Sequence, residues 1–241
     1  MTSLIKKIIN LILPPRCLLC GKVINGDNGL CSECFSNITF ITSPYCNKCG
    51  YPFSRTINSE DNVCLSCLNP KNKQIFRMCR SAIVYDEYSK KLVLDFKFSD
   101  HVENKILLAR WLNIAGKDIF DEGVDLIIPV PLHFTRMIKR KYNQSAILVK
   151  ELAKLSNIKA EYNSLKRKKM TAPQTQCTGK ERRKNVKDAF VVLDINKIKD
   201  KRIVLIDDVY TTGATLKECA KVLLKAGAKS VDALTIARVC Q

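Results

Sequence analysis

The sequence predicts an α/β protein in which a small cysteine-rich module precedes a mostly parallel sheet with flanking helices. Three observations support this fold class. Four CxxC pairs lie before residue 70. Apolar strand patterns alternate with helical patterns after residue 79. Two of these strands are continuous apolar runs, as expected of strands that are covered on both faces. We therefore expect two domains, residues 1–70 and 79–241.

The first segment, MTSLIKKIINLILPP, is predicted to form a short amphipathic helix on the module that follows. Asn10 interrupts its apolar stretch, and two prolines and Cys17 follow in place of a small-residue cleavage site, which disfavours a signal peptide. A weak contact with a membrane or a partner is the alternative role. No apolar run approaches the roughly 18–20 residues of a membrane span. We expect a cytoplasmic protein that is at most peripheral at the inner face of the membrane.

The CxxC pairs form two units, each with a CxxC, a spacer and a second CxxC. The spacers are residues 21–30 and 50–63, close to the spacing of zinc ribbons. A CxxC turn places two sulfurs on one side of a tetrahedral Zn²⁺, and a glycine after the knuckle permits the tight turn. We expect two structural zinc sites, with the ligands Cys17, Cys20, Cys31 and Cys34 in the first and Cys46, Cys49, Cys64 and Cys67 in the second.

Alternatives to this assignment stay open at the level of sequence. The knuckles could also pair in an interleaved order, the first with the third and the second with the fourth. Redox-active dithiols are a competing interpretation, but they need no second CxxC at ribbon spacing. Because eight thiolates leave no open coordination position, catalytic zinc is not expected. The cysteine pattern fits a reducing compartment better than a secreted disulfide framework.

The second domain is predicted to contain five strands and four helices. The strands are 81–85, 124–132, 189–193, 202–208 and 231–238, and the helices are 86–98, 103–120, 143–156 and 214–227. Gly227 is a plausible end for the last helix.

The stretch IVLIDDVYTTGAT (203–215) joins a buried strand to a helix and carries the chemistry. Asp207 and Asp208 are expected at the carboxyl end of the strand, where open α/β sheets bind ligands. The loop after them places backbone amides and threonine hydroxyls at a helix N-terminus, which suits a phosphate dianion. Since two carboxylates would repel phosphate alone, the ligand must also offer hydroxyls or a bound Mg²⁺. A phosphorylated sugar with a diol meets both conditions.

This stretch resembles the phosphoribosyl pyrophosphate (PRPP) motif of type I phosphoribosyltransferases. The resemblance implies that Asp207 and Asp208 are the catalytic pair and contact the ribose 2- and 3-hydroxyls. It also implies Mg²⁺ bound with PRPP, and a 5-phosphate held by the loop Thr211, Thr212, Gly213, Ala214 and Thr215. The competing interpretation is a threonine-rich helix cap that follows acidic residues by chance.

The order of motifs narrows the resemblance further. A cysteine module, PVPLHFTRMIKRKYNQ (129–144), TAPQTQCTGKERRKNVKDAF (171–190) and the PRPP motif together resemble the ComF family, which is associated with DNA uptake in naturally competent bacteria. The resemblance implies a phosphoribosyltransferase with an unidentified acceptor, and partners in the DNA-uptake machinery. Lys141 stands where that family usually has glycine. If that glycine has a positive φ, this loop must bend differently.

The basic segment 133–187 holds 16 Lys and Arg against 3 Glu, a net charge of +13 (16 − 3), out of +18 for the whole chain. Such a segment suits single-stranded DNA or another phosphate-rich partner, although a solvated basic face is the alternative. By the resemblance, its loops hold pyrophosphate and form a hood over PRPP. The candidate residues are Arg136, Arg140, Lys141, Arg182 and Arg183.

Two functions follow from these patterns. The first is a Mg²⁺- and PRPP-dependent pentosyl transferase. The second is a non-catalytic competence factor that binds single-stranded DNA and keeps the PRPP fold as a scaffold or nucleotide sensor. Few aromatic residues lie in the basic segment, so any contact with DNA is expected to be electrostatic and not base stacking. Asn143 could serve the site or act only as a helix N-cap.

Overall fold

A computed structural model of the chain describes residues 14–25, 29–54, 62–69, 75–98, 104–132, 142–168 and 186–240. The helices are α1 (Ser32–Ser36), α2 (Leu65–Leu68), α3 (Glu87–Phe98), α4 (Asn104–Ala115), α5 (Lys117–Asp121), α6 (Gln144–Ser156) and α7 (Ala214–Lys225). The strands are β1 (Cys79–Val84), β2 (Leu126–Pro129), β3 (Lys159–Ala160), β4 (Leu165–Arg167), β5 (Phe190–Val192), β6 (Arg202–Tyr210) and β7 (Ser230–Arg238). The amphipathic helix predicted for the first residues lies outside these ranges.

The central sheet has five strands in the order β1-β7-β6-β2-β3, and all neighbouring strands are parallel. This confirms the predicted α/β class. The strand β6 lies between β7 and β2. Because β2 ends with Pro129 opposite Ile206, β6 continues beyond its neighbour on that side. The register therefore leaves the last four residues of β6 open on the side of β2, whereas β7 still pairs with them on the other side.

The two faces of the sheet pack against different helices, as the alternation of side chains along a strand requires. Ile203 and Leu205 of β6 lie in one apolar core with α7, which contributes Leu216 and Leu223. Their neighbours along the strand enter the opposite core with α4 and α6. Burial of one such side chain contributes roughly 1.5–3 kcal/mol, so the coverage of both faces explains the continuous apolar run.

Three elements differ from the sequence prediction. The predicted helix 103–120 is interrupted at Gly116, where a Cβ atom would lie 2.9 Å from the Leu234 and Phe120 side chains. The predicted strand 189–193 is β5, which pairs antiparallel with β4 in a separate two-stranded sheet and not in the central one. The predicted strand 124–132 has only four residues in the sheet, Leu126–Pro129.

The cysteine-rich module packs directly on the α/β body. The Phe40 ring meets Trp111 of α4 edge to face, with 5.0 Å between centroids. Lys91 of α3 donates a hydrogen bond to the carbonyl of Leu19, at 2.6 Å. Buried Arg80 of β1 donates to the carbonyl of Asn47, at 3.0 Å. Both cysteine units are therefore fastened to the sheet and its helices.

Among the residues described, no helix combines the length and the apolar character that a membrane crossing requires.

Candidate functional site

The eight knuckle cysteines form two clusters, and in each cluster the four Sγ atoms lie within 4.8 Å of one another. The Cys20 and Cys31 sulfurs are 3.7 Å apart, and the Cys49 and Cys64 sulfurs are 3.6 Å apart. Four sulfurs bound to Zn²⁺ in a tetrahedron lie about 3.8 Å from one another, given a Zn–S distance of about 2.3 Å. Two Cys₄ clusters thus fit two structural zinc sites, and the structure pairs the knuckles in sequence order and not in the interleaved one.

Hydrogen bonds stabilise the thiolate form of one cysteine in each cluster, Cys17 in the first and Cys46 in the second. In the second cluster the amides of Cys49 and Cys64 donate to the Cys46 sulfur, at 3.5 and 3.3 Å. A hydrogen bond from the Cys49 thiol, together with these amides, lowers the pKa of Cys46 to about 4. Burial raises the pKa of Cys17, but hydrogen bonds from backbone amides, including that of Cys20, outweigh it and bring this pKa to about 6.

Gly50, which follows the third knuckle, is required by its surroundings. It has a φ of +67°, and a Cβ atom there would lie 2.5 Å from the backbone oxygen of Cys79. The Cys79 amide donates in turn to the carbonyl of Lys48, at 2.8 Å. Since neither backbone can move aside, only glycine allows the knuckle to lie against the first residue of β1.

Asp207 and Asp208 lie on β6 beyond the end of β2, both partly exposed at the open edge of the sheet. The Asp207 Oδ1 atom accepts the amide of Asp208 at 2.9 Å, and the Asp208 Oδ1 atom accepts the amide of Val209 at 2.7 Å. These local hydrogen bonds hold both carboxylates close to the backbone at this edge.

The N-terminus of α6 meets the same edge. The Asn143 side chain caps the helix by accepting the Ser145 amide at 3.1 Å, and its Nδ2 atom donates to the carbonyl of Val130 at 3.2 Å. The Ser145 hydroxyl then donates to Oδ1 of Asp207, at 3.3 Å. Asn143 is therefore an N-cap, which was one of its two predicted roles. Ser145 was not predicted, although its position just after a helix cap that follows a buried strand could have indicated it.

The loop after β6 turns into α7 at Gly213. This glycine has φ +69° and ψ 7°, and its carbonyl accepts the amide of Lys217 at 2.8 Å. A Cβ atom on Gly213 would lie 2.6–2.8 Å from the ring and hydroxyl of Tyr210, which is buried beneath the loop. The backbone at Gly213 thus packs directly on the buried Tyr210 ring, and the first amides of a 12-residue helix follow it.

The predicted basic residues of the site lie outside the described part of the chain: Arg136, Arg140, Lys141, Arg182 and Arg183. Their roles at pyrophosphate and in the hood stay predictions. The resemblance assigns the hood to residues 167–187. Arg167 of β4, the first of these, is buried, and its guanidinium lies 5.4 Å from the centroid of the Phe190 ring.

Comparisons with known proteins match both parts of the chain. Residues 8–68 match the double zinc ribbon domain, and residues 128–240 match the phosphoribosyl transferase domain. "Competence protein F" of Haemophilus influenzae is 34% identical over 92% of this chain and 96% of that protein. "DNA utilization protein YhgH" of Escherichia coli K12 is 29% identical over 95% and 99%. "Competence protein ComFC" of Bacillus subtilis is 26% identical over 92% and 94%.

Proposed function

The chain belongs to the competence protein F (ComF) family, and from this premise we propose that it binds PRPP with Mg²⁺ and acts in DNA uptake. The names of its relatives, which refer to competence and to DNA utilization, support the biological role. We also propose residues 1–70 and 79–241 as its two domains, which contain the matched ranges 8–68 and 128–240.

The observation that carries the proposal is the order of groups along one sheet edge. Two carboxylates on β6 are followed within a few residues by a loop that bends through a left-handed glycine into a helix N-terminus. The positive end of the helix dipole favours a phosphate group, and the carboxylates favour hydroxyl donors. A ligand that satisfies both must carry a phosphate and a diol a short distance apart, as PRPP does.

Each residue of the site then has a distinct part. The amides and hydroxyls of the loop from Thr211 to Thr215 donate to the 5-phosphate. Asp207 and Asp208 accept hydrogen bonds from the ribose hydroxyls, and Ser145 orients the first of these carboxylates. Mg²⁺, when bound with PRPP, neutralises part of the charge on the pyrophosphate group.

As an enzyme, the protein would catalyse pentosyl transfer to an acceptor. The bond from ribose C1 to the pyrophosphate oxygen breaks, pyrophosphate leaves with the electron pair, and the acceptor forms the new bond to C1. Positioning and charge stabilisation provide most of the rate in such a step. Arg136, Arg140 and Lys141 are proposed to hold the pyrophosphate, while Arg182 and Arg183 in the hood exclude water.

The carboxylate pair allows a test that separates sugar binding from phosphate binding. In the variant Asp207→Asn with Asp208→Asn, calorimetry should show PRPP affinity reduced about 10- to 100-fold, since hydrogen bonds to charged groups contribute about 1.5–3 kcal/mol. Affinity for inorganic phosphate should not fall, because a nearby negative charge has been removed.

The control for charge is Asp121→Asn with Asp194→Asn. It removes the same number of carboxylates from α5 and from the loop before β6, and should leave both affinities unchanged. If the Asp207 and Asp208 variant binds PRPP as the wild type does, the assignment of the sugar site is wrong.

The charge of the chain favours a second candidate function, single-stranded DNA binding through the basic segment 133–187. In this alternative the PRPP fold serves as a scaffold or nucleotide sensor, close to DNA-uptake proteins at the inner face of the membrane. The affinity should then fall steeply with salt, with a slope of about −0.7 per phosphate contacted. A flat salt response would exclude this surface. Release of pyrophosphate from PRPP with a panel of bases and amines would show whether transfer also occurs.

A further inference from the structure

Arg238, the last residue of β7, contacts both the second cysteine cluster and Tyr210. The Tyr210 ring packs against Gly213 in the loop from Thr211 to Thr215, which is called the phosphate loop below. Arg238 is buried, with 7% of its surface exposed. Its Nη1 atom donates to the carbonyl of Cys49 at 2.6 Å, and Nη2 lies 3.7 Å from the Cys49 sulfur. The guanidinium carbon lies 4.3 Å from the centroid of the Tyr210 ring. One side chain thus spans from a metal ligand to an aromatic ring at the candidate site.

The Tyr210 ring in turn supports Gly213. No Cβ atom would fit between them, since it would lie 2.6 Å from the tyrosine oxygen. The backbone joins the same residues, because the amide of Val239, next to Arg238, donates to the carbonyl of Tyr210 at 2.9 Å. The ring therefore limits the position of the glycine at which the loop enters α7, and a displaced ring removes that constraint.

The compensation of the positive charge on Arg238 depends on the cysteine cluster. Within the described ranges, no carboxylate lies at ion-pair distance from its guanidinium, and Nε has no hydrogen-bond partner. A buried cation without a counter-charge is costly. Four thiolates around Zn²⁺ leave an excess of negative charge, and Cys49 brings that charge to Arg238. Among the residues that the structure describes, the second zinc site is thus the source of negative charge that contacts Arg238.

We propose that Arg238 is a positioning residue that couples the second zinc site to the phosphate loop through Tyr210. When zinc occupies the cluster of Cys46, Cys49, Cys64 and Cys67, Arg238 holds the ring against Gly213, and the loop keeps its native shape. When zinc leaves this cluster, Arg238 loses its counter-charge, and the Tyr210 ring is no longer held against Gly213. The effect on ligand affinity rests on the proposed function, whereas the effect on loop order does not.

The amide of Lys217 is a direct probe of the loop, because it donates to the carbonyl of Gly213. In Arg238→Met of the full-length, zinc-loaded chain, hydrogen exchange of this amide measured by NMR should accelerate about 10- to 100-fold, the effect of losing a charge-assisted hydrogen bond. Zinc analysis should still show two ions per chain.

The matched control is Arg80→Met. Arg80 is also buried, donates to the second cysteine unit at Asn47, and lies 4.7 Å from the centroid of an aromatic ring, that of Tyr45. Its contacts with the unit are similar, but it does not touch Tyr210. The Lys217 amide should exchange at the wild-type rate in this variant. Equal acceleration in both variants, or none in Arg238→Met, would overturn the coupling.

A second measurement covers the case in which Arg238→Met does not fold. In the wild-type chain, PRPP should slow the release of zinc from the second cluster to a chelator, and not from the first, since coupling between two sites is reciprocal. Replacement of Cys64 and Cys67 by serine should accelerate exchange at Lys217, whereas replacement of Cys31 and Cys34 should not. If PRPP does not bind, only the proposed function is wrong. If the exchange rate of the Lys217 amide does not change when the second cluster is replaced, only the coupling is wrong.

Discussion

Gly213→Ala is the substitution whose cost the structure determines most closely. The residue has φ +69°, a conformation that costs an L-residue with a side chain roughly 1–2 kcal/mol. The added methyl would also lie 2.6–2.8 Å from the Tyr210 ring and hydroxyl. The ring is buried, with Arg238 4.3 Å from its centroid, and cannot swing away freely. Overpacking of this kind costs typically 1–3 kcal/mol.

The sum predicts a loss of about 2–5 kcal/mol in the free energy that keeps the loop in its native shape. Urea unfolding of the zinc-loaded protein, followed by circular dichroism, measures the part that reaches global stability. Titration with PRPP measures the part of this free energy that is lost as PRPP affinity because the loop is distorted. The two measurements together should account for the whole loss.

Gly227→Ala is the matched control. Gly227 follows the same helix with φ +91°, but its Cβ would lie no closer than 3.4 Å to Lys199, an ordinary contact. This variant should lose only the backbone contribution and keep its affinity for PRPP. A cost equal to that of Gly213→Ala would show that Tyr210 does not crowd the loop. The double variant Tyr210→Leu with Gly213→Ala should recover most of the steric part.

Three further predictions concern the rest of the molecule. Gly50→Ala, which places a methyl against the backbone oxygen of Cys79, should lower zinc content from two ions per chain toward one by elemental analysis; two ions at wild-type affinity would refute the close approach. A chelator strong enough to strip both metals should unfold the cysteine-rich module and shift the fluorescence of Trp111, which packs on Phe40; an unchanged spectrum and circular dichroism after complete metal loss would contradict the structural role of zinc. Burial raises the pKa of Glu161, but hydrogen bonds from the amides of Asn163 and Ser164 and from Lys197 outweigh burial and lower this pKa below its usual 4.5. The ionised Glu161 side chain therefore stabilises the fold above pH 4.5, and this stabilisation is lost as the pH falls below that value. The melting temperatures of wild type and Glu161→Gln should therefore differ at neutral pH and converge in acid, and a difference that does not depend on pH would refute this role.

The sequence was most informative where one local pattern has one physical solution. The apolar run of β6 could be predicted because both faces of the strand are covered, by α7 on one side and by α4 and α6 on the other. The cysteine clusters could be predicted because CxxC spacing and tetrahedral zinc impose the same geometry. The loop at Gly213 could be predicted because an apolar strand is followed directly by two acidic residues and then by threonines and a glycine before a helix.

Other features depend on contacts between distant segments and have no local pattern. The sequence pattern predicts β5 as a strand. Its partner is β4, a three-residue strand that the sequence did not indicate, and the two form a sheet separate from the central one. Gly116, at the break between α4 and α5, packs closely against Leu234, which lies far along the chain. Arg238 could be seen as the end of a strand, whereas its position between Cys49 and Tyr210 exists only in the folded chain.

The central claim is that the edge of the sheet at Asp207 and the Gly213 loop binds a phosphorylated ribose. Its most direct test is a calorimetric titration of PRPP with Mg²⁺ into the zinc-loaded wild-type chain, with ribose 5-phosphate as competitor. The account predicts saturable binding at one site per chain, which ribose 5-phosphate displaces and which Gly213→Ala weakens. Absence of binding to the folded protein, or binding that ribose 5-phosphate does not displace, would contradict it.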